Sequence, residues 1–301
     1  MTEIAYLFPG QGAQYVGMGR DLYDSITACR DIYERANKIL GFDVAKLCFE
    51  GPIEELTRTH NSQSAIMVTS IACLEAFKNN AKGKYMPKFA AGLSLGEITA
   101  LVAAGAIGFE DGVALVRKRG MFMEEAANEN PGKMAAIMGL DIKDVEKICA
   151  QAAVEIANLN CPGQVVLSGK AENIGRAAAL AKENGAKRAV ILEVSGPFHS
   201  SLMEAAGRRL ADELEKIKIT APEFPVISNV TAKPEVSPDE IKHNLIVQVS
   251  HSTRWEESVR YIISQGVSIF FEIGPGAVLK GLLKRIDEAA VVHNVGRCED
   301  F

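Results

Sequence analysis

Phe89-Ala-Ala-Gly-Leu-Ser-Leu-Gly-Glu-Ile-Thr-Ala-Leu101 is the stretch from which the rest of the chain can be read. Small apolar residues lead into Gly92-Leu-Ser-Leu-Gly96, a G-x-S-x-G pattern, and a run of helical character follows. The spacing predicts a strand, a sharp turn and a helix, with Ser94 at the turn. Such a turn strains the serine backbone, and the two glycines leave room where strand and helix cross. Ser94 Oγ would stand exposed at the carboxyl end of the strand, beside N–H groups that the first helical turn leaves unpaired. An ordinary strand-to-helix turn with a serine cap shows the same five residues. The surroundings of Ser94 have to decide between the two.

A chain of 301 residues is long enough for one large domain or two. Its 48% hydrophobic and 24% charged residues are those of an ordinary globular protein. Lys plus Arg number 33 against 38 Asp plus Glu, a net charge of −5. That balance argues against a nucleic-acid binder, which presents a basic face. No apolar run is long enough to span a membrane. Met1-Thr-Glu-Ile-Ala-Tyr-Leu-Phe8 lacks the basic start and long apolar core of a signal peptide. Cys29, Cys48, Cys73, Cys149, Cys161 and Cys298 are scattered, with no C-x-x-C pair. They read as reduced thiols of a cytoplasmic protein rather than a disulfide frame or a zinc site.

Outward from the elbow, Ile4–Phe8 reads as a buried strand broken by Pro9-Gly-Gln-Gly12. Gln11, between glycines just past a strand end, suits a loop whose N–H groups face a ligand. Residues from Asp21 to Ala81 read as helices, and another helix starts at Gly108 and carries Arg117-Lys-Arg119. Arg117 and Arg119 project in different directions, so one can point inward. From residue 133 to 194 the pattern changes to strand, helix, strand, strand, helix, strand, with Asn160-Cys-Pro-Gly163 as a turn. That βαββαβ order predicts an inserted ferredoxin-like unit over residues 129–197. Residues 1–128 and 198–301 alternate strand and helix and predict a larger subdomain with a mostly parallel sheet. The fold class is α/β.

A serine hydroxyl needs a base before it acts as a nucleophile. The chain offers His60, His199, His243, His251 and His293. His199 follows Gly196-Pro-Phe198 where the insert rejoins the larger body, a concave place. His293 is late in the chain, as in the serine–acid–histidine order of α/β-hydrolases. His60 reads as a cap or surface residue. Residue type favours His199 and leaves His293 open.

Gly10-Gln-Gly-Ala-Gln14, Gly92-Leu-Ser-Leu-Gly-Glu97, Arg119-Gly120, Asn160-Cys-Pro-Gly-Gln-Val165, Gly196-Pro-Phe-His199, Ser228-Asn-Val-Thr231, Gln248, Arg254-Trp255 and Glu272-Ile-Gly-Pro-Gly276 follow one another in order. Across nearly its whole length the chain resembles the malonyl-CoA:acyl-carrier-protein transacylases. The resemblance implies an α/β-hydrolase-like large subdomain with a ferredoxin-like small one. It implies that Ser94 carries malonyl as an ester and that His199 serves as base and then acid. A backbone carbonyl near Gln248 would orient the imidazole in place of a carboxylate. The N–H groups of Gln11 and Leu95 would form the oxyanion hole, and a buried Arg119 with no acidic partner would hold the malonyl carboxylate. Phe198 would crowd a branched acyl group, and Asn158, Asn160 and Asn229 would line the cleft. No metal or redox cofactor is implied. The partners implied are malonyl-CoA and an acyl carrier protein, with no nucleic acid or membrane, and the chain is expected as a monomer. Lys187-Arg188, Arg208-Arg209 and Lys280 with Lys284-Arg285 are the candidate basic patches for an acidic carrier protein. Two departures stand out. Leu93 replaces a common histidine, and Ser252-Thr253 replaces Pro-Val, which loosens the expected placement of Gln248. The rivals are a polyketide loading acyltransferase, a patatin-like serine hydrolase using Asp111, and a non-catalytic carrier-protein scaffold. An inward Arg119 separates the transferases from a lipase, whose acyl site is apolar.

Overall fold

The structure, a computed structural model, describes residues 3–81 and 86–300. Two sheets organise it. The larger contains β1 (Ile4–Phe8), β2 (Phe89–Gly92), β7 (Val226–Ile227), β8 (Pro234–Glu235), β9 (Ile269–Ile273) and β10 (Val291–Val295), in the order β10-β9-β1-β2-β7-β8. All neighbours are parallel except β7 with β8. β1 and β2 are buried on both faces, which is why they read as unbroken apolar runs rather than alternating ones. Helices cover both faces, including Thr59–Ala81 and Phe109–Glu129 on one side and Trp255–Ser264 and Val278–Ile286 on the other.

Between Phe109–Glu129 and the rest of the larger body lie β3 (Gly132–Met138), β4 (Glu155–Cys161), β5 (Gln164–Lys170) and β6 (Arg188–Ile191). They form a separate antiparallel sheet, ordered β4-β5-β3-β6. The helices Ile142–Ala152 and Ala171–Glu183 bury Val145, Ile148, Ile174 and Ala177 against Ile137 and Leu167. The βαββαβ order is the one the sequence predicts.

Some boundaries differ. Asn160 and Cys161 belong to β4 rather than to a turn, because Cys161 pairs with Gln164 and closes a two-residue hairpin loop at Pro162-Gly163. β6 stops at Ile191, short of Val194. β8 is a two-residue strand that no hydrophobic run announces. Ser252-Thr253 does not loosen its segment. Thr253 N–H donates to Ala157 O at 2.8 Å, Leu159 N–H donates to Thr253 O at 2.9 Å, and the Ser252 hydroxyl donates to Ile156 O. The segment after Gln248 is thus stitched along β4.

The strand register brings the loops of the site together. Phe8 lies beside Gly92, so the loops leaving β1 and β2 emerge side by side. Close packing at the turn requires its glycines. A Cβ on Gly92 would fall 1.9 Å from the Gly96 carbonyl carbon, and one on Gly96 would fall 2.1 Å from Phe8 O. Among the described residues no helix is long and apolar enough to cross a membrane, and no cluster of residues is arranged to hold a metal ion. All six cysteines are free.

Candidate active site

Ser94 sits between β2 and the helix Leu95–Ala103 with φ 53° and ψ −102°, a left-handed conformation that a residue with a side chain adopts only when its surroundings enforce it. Asn229, just past β7, does the enforcing. Its Oδ1 accepts from Ser94 N–H at 2.6 Å, and its Nδ2 donates to Gly92 O at 2.7 Å. His199 also has positive φ, 56°. The chain returns from β6 through Gly196-Pro197, and the Ser200 hydroxyl donates to Pro197 O at 2.7 Å, which tightens the turn that aims the imidazole. Strained backbone at both residues is typical of functional sites.

The two side chains meet. Ser94 Oγ lies 2.8 Å from His199 Nε2, and His199 Nδ1–H donates to the Gln248 carbonyl at 2.8 Å. That second bond leaves the Nε2 lone pair for the serine proton. Burial, and then the nearby Arg119 charge, push the imidazole down to about 4, so it is neutral at pH 7 and able to accept a proton.

Arg119 is 1% exposed and comes from the middle of Phe109–Glu129. Its guanidinium donates to Gln63 Oε1 (2.8 Å), Gln248 Oε1 (2.9 Å) and Ser94 Oγ (3.0 Å). Its Nε–H has no acceptor among the described residues. Burial lowers its pKa to about 10, which still leaves it charged at neutral pH. Among the described residues Arg119 makes no direct ion pair; the Glu97 carboxylate is near enough to favour its charge and is linked to it through Gln248, whose Nε2 donates to Glu97 Oε2 at 2.7 Å.

These groups line a cavity of about 280 Å³ between the two sheets. One wall is Gln11, Leu93, Ser94, Leu95, Arg119 and Gln63; the other is Met134, Asn158, Asn160 and Val166 from the small sheet, with Leu192 just past β6. Phe198 is buried and lines it with Met123. Neither the Gln11 nor the Leu95 N–H has a backbone acceptor among the described residues, so both donors at this wall are unspent. Leu93 presents an apolar side chain to the cavity and packs on the Trp255 cluster.

Of the sequence candidates, Ser94, His199, Arg119, Gln11, Leu95, Gln248, Phe198, Asn158 and Asn160 converge. Asn229 lies beneath the elbow instead of lining the cavity. His60 pairs with Glu124, His293 stacks on Phe271, and His243 and His251 lie on or after the helix Pro238–Gln248, outside the cavity. Asp111 is an acidic residue in the first turn of its helix and not part of the cavity. Sequence reasoning does not find Gln63 and Glu97 as site residues. Gln63 sits in a helix whose buried face carries Ser62, Gln63 and Ser64, a polar run in a core position that is the available signal. Of the basic pairs, Lys187, Arg188 and Arg285 gather on one depression, and Arg285 donates to Gln164, which also lines the main cavity. Arg208 and Arg209 are instead paired with Glu204 and Glu125.

A strained serine backed by an imidazole, facing unspent N–H donors in an enclosed cavity, is the equipment of an acyl-transfer protein of the serine type. The chain belongs to the acyl transferase domain family, which its residues 5–298 match. It is 48% identical over 292 residues to the malonyl CoA-acyl carrier protein transacylase of Bacillus subtilis (strain 168), covering 95% of this chain and 91% of that protein. It is 45% identical to the protein of the same name from Escherichia coli (strain K12), covering 95% and 93%. Among solved structures it is similar to an acyl carrier protein S-malonyltransferase from Vibrio cholerae, with a TM-score of 0.96, 40% identity and coverage of 99% and 98%. It is equally similar, at TM-score 0.96, 41% identity and coverage of 99% and 97%, to a malonyl-transacylase solved in complex with its holo type II polyketide acyl-carrier protein, AntF.

Proposed function

We propose that this chain transfers malonyl from malonyl-CoA to the phosphopantetheine thiol of an acyl carrier protein, in fatty-acid synthesis, through an ester on Ser94. The observation that carries the residue roles is the meeting of Ser94 Oγ, His199 Nε2 and the Arg119 guanidinium within 3.0 Å at one end of a single cavity.

His199 Nε2 takes the Ser94 proton as Oγ attacks the thioester carbonyl carbon. The new oxyanion faces the Gln11 and Leu95 N–H groups. One such donor is worth roughly 3 kcal/mol. The Gln248 carbonyl stabilises the imidazolium at Nδ1. Collapse breaks the C–S bond, and the imidazolium returns the proton to the leaving CoA thiolate. A pantetheine thiol then repeats the steps in reverse order, giving a ping-pong cycle. Arg119 receives the malonyl carboxylate; its free Nε–H and forked geometry suit two parallel bonds. Neutralising Arg119 in this way also lifts the charge that depresses His199, so the charged substrate makes its own base stronger.

The depression carrying Lys187, Arg188 and Arg285 supports docking of an acidic carrier protein near the cavity mouth. The separate antiparallel sheet, with an apolar cluster of its own on the face packed by its two helices, supports division into subdomains of residues 1–128 with 198–301, and 129–197. Free thiols support a cytoplasmic location, and a monomer is the working state. A polyketide carrier is the alternative acceptor, since one similar protein was solved with such a partner.

Intact mass spectrometry after incubation with malonyl-CoA tests the reading. A malonyl adduct that persists, disappears in Ser94→Ala and is discharged by holo carrier protein is expected. Rapid release of free malonate would mean a hydrolase, and no adduct at all would mean a scaffold. Discharge rates with fatty-acid and polyketide carriers identify the acceptor.

A further inference from the structure

Two acidic side chains under the elbow take no part in these steps. Glu97 lies in the first turn after Ser94, Glu235 lies on β8, and both are fully buried. Glu97 Oε2 accepts from Asn229 N–H at 2.9 Å and from Gln248 Nε2 at 2.7 Å. Glu235 Oε1 accepts from Asn244 Nδ2 at 2.9 Å. The remaining oxygens, Glu97 Oε1 and Glu235 Oε2, have no donor among the described residues. The β7–β8 pairing sets Glu235 opposite Val226, three residues before the Asn229 whose N–H Glu97 accepts, so the two carboxyl groups belong to one buried cluster and act on each other electrostatically. If both were ionised, two like charges would face each other out of water and each would leave an oxygen unsatisfied. One proton between them removes both difficulties.

We propose that Glu97 and Glu235 hold a single shared proton between Glu97 Oε1 and Glu235 Oε2, and that this acid pair is the positioning device for the acyl-transfer site. Glu97 Oε2 then stays a full acceptor, and two residues depend on it. Gln248 gives its Nε2 hydrogens to Glu97 Oε2 and to Ser94 O (3.0 Å), so its Oε1 must face Arg119. The reversed amide would point N–H groups at the guanidinium. The same residue supplies the carbonyl that holds His199. Asn229, fixed through its own N–H, holds Ser94 N–H. Serine backbone, imidazole and guanidinium all lean on one carboxylate oxygen. The proposal rests on the acyl-transfer reading for its functional consequence.

Arg119 is the cation that faces Glu97, from the helix Phe109–Glu129, and Glu240 is the outer acidic neighbour of Glu235. The other groups against the pair, Ser228, Asn229, Asn244 and Gln248, do not titrate near neutrality. Burial holds Glu235 well above the usual carboxylate range, and the Glu97 charge adds to it. Burial raises Glu97 as well, but its two N–H donors and Arg119 limit it to about 7. Glu235 therefore carries the proton at neutral pH, and Glu97 takes a second as the pH falls below about 7. His199, held near 4, stays neutral across that window.

Infrared spectra of the wild-type chain, Glu235→Gln and Glu235→Leu, together with the pH dependence of malonyl loading on Ser94, test this. A carboxylic-acid C=O band present above pH 8 in the wild type and missing in Glu235→Gln is expected. Loading of the wild type should fall on an acid limb near pH 7. Glu235→Leu leaves Glu97 Oε1 without a donor, so its limb should move up by about one pH unit and loading at pH 7 drop about fivefold. Glu235→Gln, whose amide donates to the same oxygen, should restore both. Absence of the acid band from the wild type, which needs no variant, overturns the proposal. So do identical pH profiles for wild type and Glu235→Leu. If wild type never forms the malonyl ester, the functional reading falls, while the infrared comparison still judges the shared proton.

Discussion

Replacing Arg119 by alanine should change which acyl group the protein accepts more than how fast it reacts. The guanidinium is 1% exposed and donates to Gln63, Gln248 and Ser94 Oγ. A malonyl carboxylate entering the cavity forms a buried pair with it. Removing one partner of a buried pair costs about 3–5 kcal/mol. At 1.36 kcal/mol per decade, that is about 10²- to 10⁴-fold in malonyl loading. Acetyl loading loses only the hydrogen bond to Ser94 Oγ, roughly 1.5–3 kcal/mol for a charged donor, and is relieved of an unpaired buried cation. The malonyl-to-acetyl ratio should therefore fall by about tenfold or more. Arg119→Lys keeps the charge but not the fork and should recover part of the ratio. Time courses of the intact-mass shift with malonyl-CoA and acetyl-CoA measure both rates on the same sample. Equal losses for the two thioesters would refute the carboxylate role of Arg119 and the selectivity drawn from it.

Gly96→Ala should destabilise the fold by about 1–3 kcal/mol or more, because the new Cβ meets backbone Phe8 O at 2.1 Å, which cannot rotate away. An unchanged melting temperature would show that the elbow is not tightly crossed. Phe198→Ala should raise methylmalonyl relative to malonyl loading by about tenfold, the scale of one methylene in an apolar pocket. Competition between the two thioesters reads the ratio, and no change would make Phe198 a packing residue only. His199 has its pKa lowered from 6.5 to about 4, so the stability it contributes is complete above pH 6.5 and is lost as the pH falls toward 4. Urea unfolding between pH 7.5 and 4.5 should accordingly be steeper in pH for wild type than for His199→Gln, and parallel curves would contradict a buried neutral imidazole.

Local chemistry made much of this protein legible in its sequence. The G-x-S-x-G spacing marks the elbow because only glycines tolerate the crossing at Gly92 and Gly96. Alternation of apolar runs and amphipathic helices marks the parallel sheet, and the βαββαβ order marks the small sheet. What periodicity cannot carry is the identity of partners across long sequence separations. His199 and His293 were both open as bases, and only the return of the chain from β6 puts one of them 2.8 Å from Ser94, while the other stacks on Phe271. Helical direction leaves open whether Arg117 or Arg119 points inward, and the partners that fix Arg119, Gln63 and Gln248, lie 56 and 129 residues away along the chain. Glu97 was only the end of a motif until tertiary packing buried it against Glu235 and Gln248. A strand, a helix or a tight turn is decided by neighbours a few residues away, and the sequence contains those. A charge state, a hydrogen-bond partner or the loss of water is decided by what lies across the fold, and only the packed chain brings those groups together.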